Sequence, residues 1–158
     1  MNIADPELMQ RHPSPRLAVR ALILQQDCLL LVNAYPDGQS DLWCAPGGGV
    51  IPGQSLPDNL IREVAEETGL AIAVGDLAMV NEFHDPVNGY HQVDLFFHCT
   101  VIAGEITPDW RDPDHIVTQR KFVSRSELAL LRCKPDSLAS AAWDKPGVIY
   151  DPLEVTVP

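Results

Sequence analysis

The sequence predicts an α/β fold, a mixed β-sheet packed between helices. Two observations carry this reading. Aliphatic runs of strand length are interspersed with stretches of helical period and do not collect in one half of the chain. Short segments rich in turn formers join several of these runs, as in hairpins. A length of 158 residues suits a single domain, 1–158, and no repeat or long linker divides it.

Residues 1–15 are polar and proline-bearing and read as an N-terminal arm; they lack the apolar core of a signal peptide or anchor. "RLAVRALIL" (16–24) and "CLLLVNAY" (28–35) are strands joined through "QQD". "PDGQSD" (36–41) is a turn, and "LWCA" (42–45) is a short strand entering a glycine-rich turn. The stretch from Ser55 to Thr68 is a helix. Ser55 and Asp58 have capping-box spacing, Pro57 falls in the first turn, and Gly69 is placed to end the helix in the left-handed region. "LAMVNEFH" (77–84) and "HQVDLFFHCTVI" (91–102) are strands around "DPVNG", and "RKFVS" (120–124) is another. Ser124 and Glu127 cap a second helix through "LALL". The proline-rich tail from Pro146 carries no clear pattern.

The formal net charge of −11 argues against partners that are long nucleic acids or anionic membranes. A small phosphorylated substrate remains compatible if cations neutralise the encounter. No apolar run approaches the roughly 20 residues of a membrane-spanning helix. The four cysteines are scattered without a C-x-x-C pair, so a disulfide framework or zinc ribbon is not expected. Cys28 and Cys99 lie in apolar runs, and a reduced, cytoplasmic protein is the reading.

The helix carries the chemistry. Glu63, Glu66 and Glu67 project from one side, opposite Leu56, Leu60, Ile61, Val64 and Ala65. Like charges at this spacing destabilise a helix by roughly 0.2–0.5 kcal/mol per pair. A solvated acidic face is the ordinary explanation. Three features favour a divalent cation instead: the glycine run just upstream, Arg62 beside the first glutamate, and the spacing itself.

That spacing is Gly48-x5-Gln54-x7-Arg62-Glu63-Val64-x-Glu66-Glu67-x-Gly69-Leu70. It resembles the Nudix hydrolase signature, G-x5-E-x7-R-E-U-x-E-E-x-G-U, with Gln54 standing where the family has Glu. "LWCAPGGGV" and "DLFFHCTVIAGE" extend the likeness, over most of residues 16–132. The resemblance implies a Nudix-type α/β/α sandwich around a mixed sheet, with 48–70 as loop–helix–loop. It also implies hydrolysis, with Mg2+ or Mn2+, of a nucleoside diphosphate linked to another moiety such as ADP-ribose or a nucleotide sugar. Water would attack phosphorus.

By position, Glu67 and Glu63 are the implied principal metal ligands, with the Gly48 carbonyl a third and Glu66 supporting them. The general base is Glu63, Glu66, or one of Asp109, Asp112 and Asp114 in the later loop. Arg62 orients a motif carboxylate. Gln54 keeps hydrogen bonding and loses a charge, and Ile51 stands where many members carry another acid, so metal affinity is expected to be reduced with activity retained. Outside the motif, Arg20, Phe83, Tyr90, His91 and Asp112 are candidates to touch substrate. Arg16 shares a strand face with Arg20, and Trp110 is a loop anchor or a stacking platform. Two alternatives stand beside the hydrolase: an idle Nudix domain binding a nucleotide metabolite for regulation, and the isomerase branch, which would use Cys44. Members of the family often form homodimers.

Overall fold

The computed structural model describes residues 14–158, so all but the end of the N-terminal arm lies outside the described residues. Strand β1 (Arg16–Gln25) and β2 (Cys28–Asn33) form the first hairpin. Gln26 and Asp27, both with positive φ, make its two-residue turn. β3 (Trp43–Cys44) and β4 (Gly47–Gly49) lead into α1 (Leu56–Thr68). β5 (Ala71–Asp85) and β6 (Tyr90–Ala103) form the long central hairpin. β7 (Arg120–Val123), the one-turn α2 (Arg125–Leu128), a π-turn at Ser140–Asp144 and β8 (Ile149–Val155) complete the chain.

The sheet is mixed and eight-stranded, in the order β3-β2-β1-β6-β5-β8, with β4 paired to β1 and β7 to β2. β1 is parallel to β6 along Arg16–Ile23. Its other edge is shared: β4 takes Ala18–Arg20, and β2 takes Leu24 and Gln25. The switch from β4 to β2 falls just past Arg20.

The pleat of β1 sorts the interior into two cores. Val19, Ala21 and Ile23 meet Leu60 and Val64 of α1, while Leu22 meets Met79, Phe96, Leu138 and Ala142. Helical segments thus cover both faces, but only α1 is a full helix. Its predicted ends hold: the Ser55 hydroxyl accepts from the Asp58 amide at 3.1 Å, and Gly69 takes φ 76°.

Other predicted elements shift for physical reasons. The glycine run is a strand and not a turn, because Gly47–Gly49 pair antiparallel with β1. β5 begins at Ala71, six residues before the expected run, since bulges near Val74, Leu77 and Met79 carry it through Gly75 and Asp76. The helix after Ser124 has its full capping box but stops at Leu128, after which the Arg132 carbonyl accepts from the Trp43 amide at 2.9 Å. The unassigned tail contains β8, which lies last in the sheet and runs parallel to β5. There an edge position tolerates Pro152.

Candidate active site

α1 brings its glutamates against the glycine strand. The Gly47 amide donates to Glu67 Oε2 at 3.0 Å. A side chain at Gly48 would begin 2.5 Å from a Glu63 carboxylate oxygen, so only glycine lets the helix approach this closely. Arg62 Nη1 donates to Glu63 Oε1 at 2.9 Å and to Glu66 Oε2 at 3.4 Å. Arg62, predicted to orient a motif carboxylate, contacts two of them.

The arrangement depends on a residue that pattern reading passed over. Asn59 is fully buried; its Oδ1 accepts from the Ile51 amide (2.9 Å) and from Arg62 Nη2 (3.1 Å). Its Nδ2 donates to the carbonyls of Gln54 (3.2 Å) and Ser55 (2.8 Å). Asn59 therefore ties the loop, the helix start and Arg62 together. Gln54 takes part through its carbonyl, and its own side chain is exposed. A charge restored there would be screened by solvent, so Gln54→Glu is expected to lower the metal concentration for half-maximal rate by no more than about fivefold. A metal titration of the two proteins checks this.

Burial pushes the Glu67 carboxyl up to about 8, against the opposing pull of Arg20 and the Gly47 amide, with Glu63 and Asp112 adding to the rise. Burial also raises Glu63, and Arg62 limits the effect while Glu66 and Asp114 add to it. Among the described residues, no three acidic, histidine or cysteine side chains form a ready-made cation cage. Glu63 and Glu66 turn to Arg62, and Glu67 turns to the Gly47 amide.

Arg20 is the last residue of β1 paired with β4. Its Nη1 donates to the carbonyls of Ala45 and Gly47, each at 3.3 Å, and its Nε lies 3.7 Å from Asp94 Oδ1. Burial opposes its charge, but Asp94, Cys44, Glu67 and Glu63 more than offset that and keep it protonated. Asp94 belongs to a hydrogen-bonded ladder, buried at Gln92 and Asp94, that no local pattern announces. Gln92 Nε2 donates to Asp94 Oδ1 at 2.7 Å, while Arg16 and Tyr90 both donate to Gln92 Oε1. The parallel register that sets Arg16 beside Gln92 builds this ladder.

Two clefts meet at β1. The smaller, about 230 Å3, is lined by Glu63, Glu67, Asp112, Asp114 and the strand Gly47–Gly49. The larger, about 560 Å3, includes Phe83, Tyr90, Phe96 and Leu42. Arg16, Arg20, Ala34 and Cys44 line both.

The remaining predicted residues divide. Arg20, Phe83 and Tyr90 lie in the larger cleft. His91 does not: it alternates with Tyr90 and Gln92 on β6, and its Nε2 meets Glu82 Oε2 at 2.9 Å. Asp112 lines the smaller cleft, but its carboxylate accepts the amides of Asp114, Ile116 and Val117 at 2.9–3.1 Å. Its evident work is to shape the loop that brings Asp114 to the cleft. Asp109 does not line either cleft. Trp110 is a loop anchor: its indole N–H donates to the Glu66 carbonyl at 2.7 Å, and its ring packs on Gly69. Burial raises the Cys44 thiol to about 11, more than Arg20 lowers it, so the thiolate an isomerase would use is disfavoured.

The NUDIX domain model matches residues 14–143. An ADP-ribose pyrophosphatase of Methanocaldococcus jannaschii is 30% identical over 92 residues, 58% of this chain and 54% of that protein. Human diphosphoinositol polyphosphate phosphohydrolase 2 is 31% identical over 112 residues, 69% of this chain and 57% of that protein. The chain spans about half the length of the curated relatives it matches. A solved structure of a NUDIX hydrolase from Nitrosomonas europaea superposes with a TM-score of 0.70 at 26% identity, covering 83% of this chain and 88% of that one.

Proposed function

The chain belongs to the Nudix hydrolase family, and from that premise we propose that it hydrolyses the pyrophosphate bond of a nucleoside diphosphate linked to a second moiety. The observation that carries this is the junction of the two clefts. An acidic cleft lined by Glu63, Glu67, Asp112 and Asp114 opens at Arg20 into a larger, mainly apolar one of a size that holds a small organic ligand.

The donor set fits a hard divalent cation. Glu63, Glu66, Glu67 and the Gly48 carbonyl offer oxygen alone, as Mg2+ or Mn2+ requires, and a nearby cation would offset the cost of ionising the buried Glu67. Such an ion supplies charge neutralisation at the diphosphate and a more acidic water. The chain supplies the rest. Arg62 holds Glu63 and Glu66 in place, and Glu63 or Asp114, both in the lining of the acidic cleft, accepts the proton of the attacking water. Arg20, already fixed by two carbonyls and Asp94, presents positive charge where a phosphate would pass between clefts.

The two relatives named above suggest different substrates, and the larger cleft favours one. A diphosphoinositol polyphosphate needs many free cationic groups. Of the cations lining that cleft, Lys134 is paired with Glu154 and Asp136, which leaves Arg16 and Arg20 to meet phosphate. With so little uncommitted positive charge, a nucleoside diphosphate derivative is the better fit.

The test is turnover of ADP-ribose, nucleotide sugars, NADH, dinucleoside polyphosphates, nucleoside triphosphates and a diphosphoinositol polyphosphate with Mg2+ or Mn2+. A nucleoside-diphosphate-linked compound is expected to be cleaved fastest, giving a nucleoside monophosphate. Preferential cleavage of the inositol compound would overturn the substrate reading. Binding without turnover across the panel would favour the regulatory alternative.

A further inference from the structure

Tyr35 lies just past the end of β2, and Val157 just past the end of β8. Four steps of the sheet order separate those strands, about 19 Å across a flat sheet at ordinary strand spacing. Yet the Tyr35 hydroxyl donates to the Val157 carbonyl at 2.9 Å. Both chain segments must lean over the intervening strands to meet, and the larger cleft lies between them, with both residues in its lining. The segment is pinned on its own side as well, since the Thr156 amide donates to the His84 carbonyl at 2.9 Å.

This rests on the hydrolase reading above and goes further. We propose that the segment Glu154–Val157, latched by Tyr35, is the specificity element of the larger cleft, and that it encloses the substrate's nucleobase against Phe83 and Tyr90. Three properties define the occupant. Phe83 and Tyr90, with ring centroids 6.2 Å apart, offer aromatic surface to a flat ring. Glu154 is held by Lys134 (2.8 Å) and Asn81 (3.3 Å), so the segment adds no free positive charge for a second phosphorylated group. Among the described residues, the hydroxyl of cleft-lining Thr156 is buried without a hydrogen-bond partner, an unused polar group that suits an occupant with polar edges. An uncharged nucleobase meets all three conditions, whereas a phosphorylated sugar lacks the flat ring and brings a charge this wall does not answer.

The experiment measures calorimetric binding of AMP, UMP and ribose 5-phosphate in chelator, where no hydrolysis intervenes. Wild type is compared with Tyr35→Phe and Phe83→Leu, each checked for an unchanged melting temperature. At least one nucleotide is expected to bind wild type more tightly than ribose 5-phosphate does. Losing the latch or the aromatic wall is expected to weaken that nucleotide by about tenfold and leave ribose 5-phosphate unaffected. For the substrate that the turnover panel identifies, Tyr35→Phe should raise KM and change the preference between adenine and uracil, with kcat retained.

Equal binding of all three probes, or variants that move neither nucleotide affinity nor base preference, would overturn the proposal even if hydrolysis is found. Nucleotide binding that depends on Tyr35 in a protein that hydrolyses nothing would support the proposal and sink the hydrolase reading instead. Should Phe83→Leu fail to fold, Tyr35→Phe alone decides, because it removes a single oxygen.

Discussion

Replacing Glu67 by Gln is expected to abolish turnover and to make the protein more stable in chelator. The loss of rate should be on the order of 10²–10³-fold or more, because a negative oxygen is removed from the place where the diphosphate must be neutralised. The gain in stability follows from the position of the carboxyl. Burial raises it to about 8, from 4.5 for an ordinary glutamate. Below about 4.5 it is protonated whether the chain is folded or not, and it contributes no penalty. Above about 8 it is ionised in both states, and the folded state bears the full cost of a buried charge. Wild-type stability should therefore fall as pH rises between those limits, by a few kcal/mol at most, at roughly 1.4 kcal/mol per tenfold change in proton affinity. The Glu67→Gln variant would lack that slope, while the amide oxygen it introduces could still accept the Gly47 N–H. Denaturant unfolding at pH 5 and pH 8 in chelator, beside a rate assay with metal, checks both signs. A variant that is inactive and also less stable at pH 8 would contradict the account.

The second large effect separates two adjacent glycines. A Cβ at Gly47 would stand 1.9 Å from the Val19 carbonyl oxygen, and the residue has a φ of 149° that side chains rarely adopt. Nothing but backbone can yield there, so Gly47→Ala should cost about 3 kcal/mol or more and pull β4 away from β1. Gly48→Ala meets the end of a flexible side chain instead, the Glu63 carboxylate at 2.5 Å. It should fold with a much smaller loss and forfeit most activity by displacing Glu63. Melting curves and rates for the two variants test the contrast. Equal destabilisation would show that the strand is not as rigid as its pairing implies.

How far the sequence announced these features depended on whether the cause was local. Helix α1 was legible because its cap, its apolar side and its terminal glycine all lie within fifteen positions. The glutamate side was legible for the same reason, as was the turn before β2. The ladder joining Arg16, Tyr90, Gln92, Asp94 and Arg20 was not, because its members are brought together by the register of β1 on β6, more than seventy residues apart. His91 was misplaced on the same account: a one-residue step in a strand decides which face a side chain occupies. β8 was hidden by prolines that an edge strand accepts, and with it the wall of the larger cleft. Asn59 resembled an ordinary polar position early in a helix. Only the fold shows it fully buried, with contacts in three directions.

The anchoring of α1 at its end has a consequence for motion. The last carbonyls of that helix are held from outside it, Glu66 by the Trp110 indole and Glu67 by the Arg120 guanidinium. Arg120 also donates to the Val117 carbonyl at 3.0 Å, so the loop carrying Asp112 and Asp114 is fastened to the helix carrying the glutamates. The two acidic segments, more than forty residues apart in sequence, are therefore tied together, and hydrogen exchange is expected to find them protected as one unit. Fraying of the helix end would carry the loop away with it and dissolve the acidic cleft in a single event.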